Sequence, residues 1–181
     1  MRRRLQIILI IIVIGLNGLP AYSNQDYEKR IKKIYKNIVN YIGNRGTLAP
    51  DLEIINKKDK NVAYIRKNTI YFEINNATLL SKFREDTDNA IAYILGHELA
   101  HHYLDHSWMR QVGTTFFSQD MKEFVKNERS SEELRKKEEM EADLHAGFYA
   151  TLAGYNSLRV AKDALQLIYD TYNINPNMKG Y

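Results

Sequence analysis

The sequence contains no cysteine, and after its first 23 residues it contains no second long apolar run. The missing cysteine excludes a disulfide framework, and it also excludes a lipid anchor on a cysteine at an export cleavage site. A membrane-spanning helix needs roughly 20 consecutive apolar residues, so we expect no transmembrane span in the mature chain. With 181 residues, 44% of them hydrophobic and 27% charged, the chain is predicted to fold as one globular domain.

A basic surplus is also missing from most of the chain. Three of the 26 basic residues are Arg2, Arg3 and Arg4, and the first 23 residues contain no acidic residue. The 23 basic and 22 acidic residues from Asn24 onward therefore nearly cancel. A nucleic-acid-binding protein needs basic residues clustered on its folded part, so we expect no nucleic-acid partner.

The N-terminal segment has the three parts of a secretory signal peptide. A basic start precedes an apolar run over residues 5–16, and small residues follow at Ala21 and Ser23. This order predicts cleavage after Ser23, with a signal peptide over residues 1–23 and the folded domain over residues 24–181. An uncleaved membrane anchor is the alternative, but the apolar run is short for one. We therefore expect an exported protein, either periplasmic or secreted.

The hydrophobic pattern after the signal peptide predicts an α+β domain. Apolar residues recur at helical spacing over residues 27–42, which predicts a first amphipathic helix. Short β-rich runs at residues 52–55, 62–66 and 69–74 are separated by polar residues and predict three antiparallel strands.

Three further helices are predicted in the second half of the chain. Acidic residues within 86–88 favour capping of a helix that carries most of the histidines. Ser130 and Glu133 fit a capping box at the start of the next helix, which should end at Gly154. Asn156 is the expected N-cap of the last helix.

The strongest chemical signal is His97-Glu98-Leu99-Ala100-His101, an H-E-x-x-H sequence within the first of these helices. Residues four apart lie on one helical face, so His97 and His101 can hold one metal ion together. Glu98 lies to the side of this pair, where a carboxylate can activate the attacking water without binding the metal. Two histidines that only satisfy local hydrogen bonds are the alternative.

A catalytic zinc site needs a third protein ligand and an open fourth position. Glu139 and Asp143 are four residues apart on the following helix, so both can face the histidines. We predict one zinc ion per chain, held by the two histidines and Glu139, with Asp143 accepting the second ring N–H of a ligating histidine. Glu138 and Glu141 are alternative ligands, and the spacing from Asp143 favours Glu139.

Together these motifs resemble the gluzincin metallopeptidases, and within them the HtpX, BepA and CAAX prenyl protease family, whose signature is H-E-x-x-H followed by E-x-x-x-D. The resemblance covers about residues 45–172. Residues 61–64 look like the family's edge strand, residues 70–72 like its second strand, and residues 88–97 like its run into the active-site helix. The resemblance implies a zincin-like fold and a zinc metalloendopeptidase. Because the transmembrane helices of multispan members have no counterpart here, it also implies a soluble exported branch.

We therefore expect an endopeptidase that hydrolyses peptide bonds of extended or unfolded exported proteins. If residues 62–66 form an edge strand, Val62, Ala63 and Tyr64 can bind the peptide as an added strand. Coverage of this edge by an insertion over residues 107–129 is the alternative, and it would make the enzyme latent. The other function class is a zinc-bearing, chaperone-like quality-control or binding module with an idle or gated protease centre, because no residue is assignable to oxyanion stabilisation.

The three remaining histidines carry weaker signals. His102 and His106 are also four residues apart, but no third ligand accompanies them, so positions at the surface or behind the metal ligands are favoured over a second metal. His106 also lacks the spacing of the third histidine of a metzincin. His145 lies off the face of Glu139 and is expected to be structural.

Overall fold

The computed structural model describes residues 23–43, 48–57, 62–106 and 132–173. These residues form five α-helices and one three-stranded sheet, which confirms the predicted α+β class. In chain order the elements are α1 (Asn24–Ile42), β1 (Asp51–Ile55), β2 (Ala63–Arg66), β3 (Thr69–Glu73), α2 (Ile74–Leu80), α3 (Thr87–Tyr103), α4 (Glu132–Leu152) and α5 (Ala161–Tyr172). Within the described part of the chain, no helix is long and apolar enough to cross a membrane.

Several predicted features lie outside the described residues. They are residues 1–22 of the predicted signal peptide, the insertion over residues 107–129, and Ser130 of the predicted capping box.

Helix α1 forms where the hydrophobic pattern predicts it. Its buried side chains recur every three or four residues, so one face packs into the core; they are Tyr27, Ile31, Ile34, Ile38 and Ile42. The Ser23 hydroxyl accepts a hydrogen bond from the Asp26 N–H, and the Asp26 carboxylate accepts one from the Ser23 N–H. This reciprocal pair is a capping box that satisfies backbone donors at the start of the helix.

The sheet is mixed, so the prediction of three antiparallel strands was wrong. The strand order is β1-β3-β2: β2 runs antiparallel to β3, whereas β1 runs parallel to it, with Leu52 opposite Ile70. Ile70 and Phe72 are fully buried. Strand β3 thus lies at the centre of the sheet, where it pairs through both edges and separates β1 from β2. Strand β2 is left at one edge, as the resemblance implies.

Neither of the two predicted N-cap side chains forms a cap hydrogen bond. Asp86 stands at the N-cap position of α3, but its carboxylate makes no cap hydrogen bond there and instead accepts one from Asn89 Nδ2 at 2.8 Å and pairs with Arg159. The Asn156 side chain makes no cap bond either, and its backbone N–H donates to Asn89 Oδ1 at 3.0 Å. These polar groups tie the chain after α4 to the start of α3 instead of capping a helix.

Helices α3 and α4 approach each other through small residues. Ala142 and Ala146 are fully buried, as expected for residues that let the two helices come close. Gly96, immediately before the H-E-x-x-H sequence, completes the contact: a Cβ atom placed on it would lie 2.8 Å from the backbone oxygen of Ala146. Any larger residue at position 96 would therefore force the two helices apart.

We expect Gly96→Ala to destabilise the chain by about 1–3 kcal/mol, the usual cost of overpacking. Gly147→Ala is the matched control, because the three atoms nearest to its added methyl all belong to the Leu158 side chain, which is exposed and can move away. That variant should lose little stability or gain some from better helix propensity. Urea unfolding of both variants measures the difference, and equal stabilities would contradict a backbone contact at Gly96.

Candidate metal centre

The structure brings the three predicted metal ligands together. The Nε2 atoms of His97 and His101, one turn apart on α3, are 3.0 Å from each other. From α4, the Glu139 carboxylate places Oε2 at 3.4 Å from His97 Nε2 and Oε1 at 3.8 Å from His101 Nε2. The three side chains are 12–27% exposed, so the cluster is reachable from solvent.

These distances fit a small metal ion. With metal–ligand bonds of about 2.0–2.1 Å, two ligand atoms of a tetrahedral site lie about 3.4 Å apart, and the three observed separations scatter around that value. Among the residues that the structure describes, His97, His101 and Glu139 are the group whose donor atoms gather within 4.8 Å of one another. Two imidazoles and one carboxylate also leave a fourth position open, as catalytic zinc sites do.

A carboxylate on α4 fixes the orientation of His97. Its Nδ1 lies 2.8 Å from Asp143 Oδ1, so with Nδ1 protonated the ring donates to Asp143 and presents the Nε2 lone pair to the cluster. Burial lowers the pKa of His97, but the hydrogen bonds to Asp143 and Glu139 and the nearby charge of Glu98 outweigh it and raise the pKa to about 10. Without a metal, the His97 ring is therefore an imidazolium at neutral pH, with a proton on each nitrogen, and metal binding would remove the proton on Nε2.

The other histidine ligand has a different partner. His101 Nδ1 lies 2.9 Å from the Nδ1 of His106, a residue whose side chain is only 7% exposed. On its far side, His106 Nε2 lies 3.4 Å from Glu141 Oε2. Glu141, one of the alternative ligands considered from sequence, thus faces His106 and not the metal cluster.

Glu98 lies beside the cluster without belonging to it. Its side chain is buried on α3, directly after His97, and its charge acts on the His97 imidazole. This is the placement expected for a carboxylate that handles a proton next to the metal instead of binding it.

The last two histidines contact backbone carbonyls. His102 Nε2 lies 2.9 Å from the Leu48 oxygen, and His145 Nδ1 lies 2.8 Å from the Glu141 oxygen one helical turn earlier. The first contact links α3 to the segment before β1, and the second lies within α4.

Two tyrosines near the centre were missed by the sequence reasoning. Burial raises the pKa of Tyr93, and so do the charge of Asp143 and the hydrogen bond between the two side chains. Burial also raises the pKa of Tyr169 on α5, together with the charges of Asp143 and Glu139. Tyr93 precedes His97 by one helical turn, and this spacing could have indicated it, whereas no local pattern points to Tyr169.

The raised pKa of His97 predicts how the stability of the metal-free protein depends on pH. A histidine with a pKa of about 10 when folded and about 6.5 when unfolded stabilises the fold fully below pH 6.5. That contribution is lost as the pH rises towards 10. We therefore expect the free energy of unfolding, measured in a chelator, to fall over this range.

Asp143→Asn is the control for this pH dependence, because it removes the charge that raises the pKa of His97. The fall in stability between pH 6.5 and 10 should be smaller in this variant. The same slope in both proteins would show that His97 is not the group responsible.

A family model describing peptidase family M48 matches residues 25–171. This range includes the whole fold from α1 to α5 apart from the first residue of α1 and the last residue of α5. Comparison with curated proteins and with solved structures gives no match. The family match covers most of the chain, and the structure independently gathers two histidines and a glutamate of the kind that a metallopeptidase needs. The chain therefore belongs to peptidase family M48, a family of metal-dependent peptidases.

Proposed function

We propose that the chain is a zinc-dependent endopeptidase whose zinc ion is held by His97, His101 and Glu139. The convergence of their three donor atoms, in a member of this peptidase family, is the observation that carries the proposal. A structural zinc site has four protein ligands, whereas this donor set leaves room for water or substrate. A chaperone-like module with an idle centre is not favoured, because the chain belongs to a peptidase family and the charge of the buried Glu98 acts on His97.

The side chains of the proposed centre have different roles in peptide hydrolysis. Zinc, when bound, supplies a Lewis acid that polarises the scissile carbonyl and lowers the pKa of water. Glu98 takes a proton from the attacking water as the water oxygen bonds to the carbonyl carbon. It then delivers that proton to the amine nitrogen as the C–N bond breaks. Asp143 keeps His97 in the tautomer whose Nε2 faces the cluster.

Two isosteric substitutions test these assignments against each other. Glu98→Gln should keep one zinc ion per chain and lose roughly 10²- to 10⁴-fold in peptide hydrolysis, because the amide cannot accept the proton. Glu139→Gln should lose zinc as well as activity, because a neutral amide replaces a charged ligand. Elemental analysis and a peptide assay with and without chelator measure both quantities.

Other outcomes of this comparison contradict parts of the proposal. Full activity in the Glu98→Gln variant would remove Glu98 from the mechanism. Unchanged zinc content after Glu139→Gln would remove Glu139 from the ligand set. A wild-type chain that binds zinc and hydrolyses no peptide would favour the chaperone-like module.

We also propose that substrate binds along the edge of β2 that faces away from β3. The Glu73 N–H donates to the Val62 oxygen at 3.0 Å, and neighbouring residues of an antiparallel strand face opposite ways. Val62 and Tyr64 therefore direct their backbone groups to β3, while Ala63 and Ile65 direct theirs outward. Strand β2 contacts α3, the helix that carries the two histidines, so an extended peptide added at this edge would lie near the centre.

This alternation decides which substitution tests the edge. Ala63→Pro removes an outward N–H, so hydrolysis of a long unstructured peptide should fall roughly two- to tenfold, the loss of one main-chain hydrogen bond. Zinc content and hydrolysis of a peptide too short to reach β2 should not change. Tyr64→Pro is the contrasting variant, because it removes a donor that faces β3 and should destabilise the fold itself. Unchanged cleavage of the long peptide by a folded Ala63→Pro variant would exclude pairing there.

Export and the nature of the substrate also belong to the proposal. The signal-peptide pattern of residues 1–23 supports an exported, soluble branch of the family acting on unfolded exported proteins. Cleavage after Ser23 would remove the hydroxyl that caps α1, a contact that contributes about 1 kcal/mol. N-terminal sequencing of the exported protein therefore tests both export and the position of the cut.

A further inference from the structure

We propose that His106 is a positioning residue: it fixes the ring orientation and the tautomer of His101, and it is itself held by Glu141. The inference rests on the proposed zinc site, since it concerns how one of its ligands is prepared. It is carried by a chain of contacts from the cluster to α4, made by His101, His106 and Glu141 in that order.

The two ring nitrogens of His101 have separate tasks. Its Nε2 faces His97 Nε2 and Glu139, and a metal ion there needs the Nε2 lone pair. The proton of the neutral ring must then be on Nδ1, which lies 2.9 Å from His106 Nδ1. For a hydrogen bond to form, His106 Nδ1 must be the acceptor.

This requirement fixes the proton on His106 as well. A neutral His106 that accepts at Nδ1 carries its proton on Nε2, and that nitrogen lies 3.4 Å from the Glu141 carboxylate. In this series of contacts, the Nδ1–H of His101 thus faces His106 and the Nε2–H of His106 faces Glu141. The carboxylate at its end favours the arrangement that leaves His101 Nε2 free of a proton.

The end of helix α3 is built to hold His106 in this place. Asp105 has a φ of 60°, a left-handed conformation that residues other than glycine adopt only occasionally. The Asp105 N–H donates to the His102 oxygen, and the His106 N–H donates to the His101 oxygen five residues earlier, both at 3.2 Å. These two bonds form the helix-ending pattern known as the Schellman motif.

The reversal at Asp105 folds the chain back over the last turn of α3. His106 therefore meets His101 twice, through its backbone N–H and through its ring, and the two ring centroids are 5.0 Å apart. A side chain held at both points and largely buried has little freedom to turn. It can therefore transmit its orientation to the ligand.

The test is the zinc affinity of the full-length protein, measured by competition with a chromophoric chelator. His106→Ala should weaken zinc binding roughly 10- to 100-fold, the usual effect of removing the partner of a ligating histidine. His106→Asn should restore most of the affinity, because its Oδ1 can accept the same hydrogen bond from His101. His102→Ala is the matched control on the same helix and should bind zinc as the wild type does.

A second measurement separates positioning from a general loss of structure. In a His101→Ala background, adding His106→Ala should cause no further loss of zinc affinity, because the ligand through which His106 acts is already gone. A purely structural effect would add to the first loss. If His106→Ala does not fold, Glu141→Ala tests the same series of contacts by removing the carboxylate that faces His106. It should weaken zinc binding by a smaller factor.

The outcomes distinguish this inference from the proposed function. Wild-type affinity in a folded His106→Ala or Glu141→Ala variant, failure of His106→Asn to restore binding, or additive losses with His101→Ala would overturn the role of His106 alone. A wild-type chain that binds no zinc would overturn the zinc site and this inference together.

Discussion

The contact between α3 and α4 at Gly96 is the constraint on which the site depends. Helix α3 carries Glu98 and both histidines of the candidate metal site, while α4 carries Glu139, Asp143 and Glu141, so the site forms only where the two helices meet. They meet where Gly96 leaves room for the backbone of Ala146. Because Gly96 immediately precedes His97, this tight contact lies beside the candidate site, and a shift there would move the histidines away from Glu139.

In the metal-free protein, the nearby carboxylates and burial have opposite effects on the pKa of His97. Several carboxylates surround two partly buried histidines, and the pKa of His97 rises to about 10 because Asp143 and Glu139 outweigh the desolvation that burial causes. A proton on His97 thus compensates part of the negative charge when no metal is bound. A divalent cation would displace that proton and take over the same electrostatic role, so binding of metal at this site is coupled to the release of a proton.

Periodicity within one helix explains how much of the site the sequence could reveal. His97 with His101, and Glu139 with Asp143, are pairs whose relative positions follow from the geometry of an α-helix. The pairing of the strands could not be predicted from such local spacing. Strands β1 and β2 are consecutive in the sequence, but β3 lies between them in the sheet. Asp86 and Asn156 show the same limit of sequence reasoning. Both are residue types that often cap helices, but here they make contacts between separate segments of the chain. The β-rich composition of these runs identified the strands, but their order depends on pairing between distant parts of the chain.

The two histidines of the candidate metal site contact different partners, and this asymmetry follows from where each one lies on α3. His97 lies within the helix, opposite α4, so a carboxylate from the neighbouring helix can reach its Nδ1 directly. His101 lies in the last turn, where the chain reverses at Asp105, and its Nδ1 meets a residue from beyond the helix end. The His106 ring lies between His101 and Glu141, so the Glu141 carboxylate faces His106, whereas the Asp143 carboxylate contacts His97 itself. The negative charge that raises ligand basicity is therefore concentrated on the side of His97, while His101 is supported mainly in its orientation.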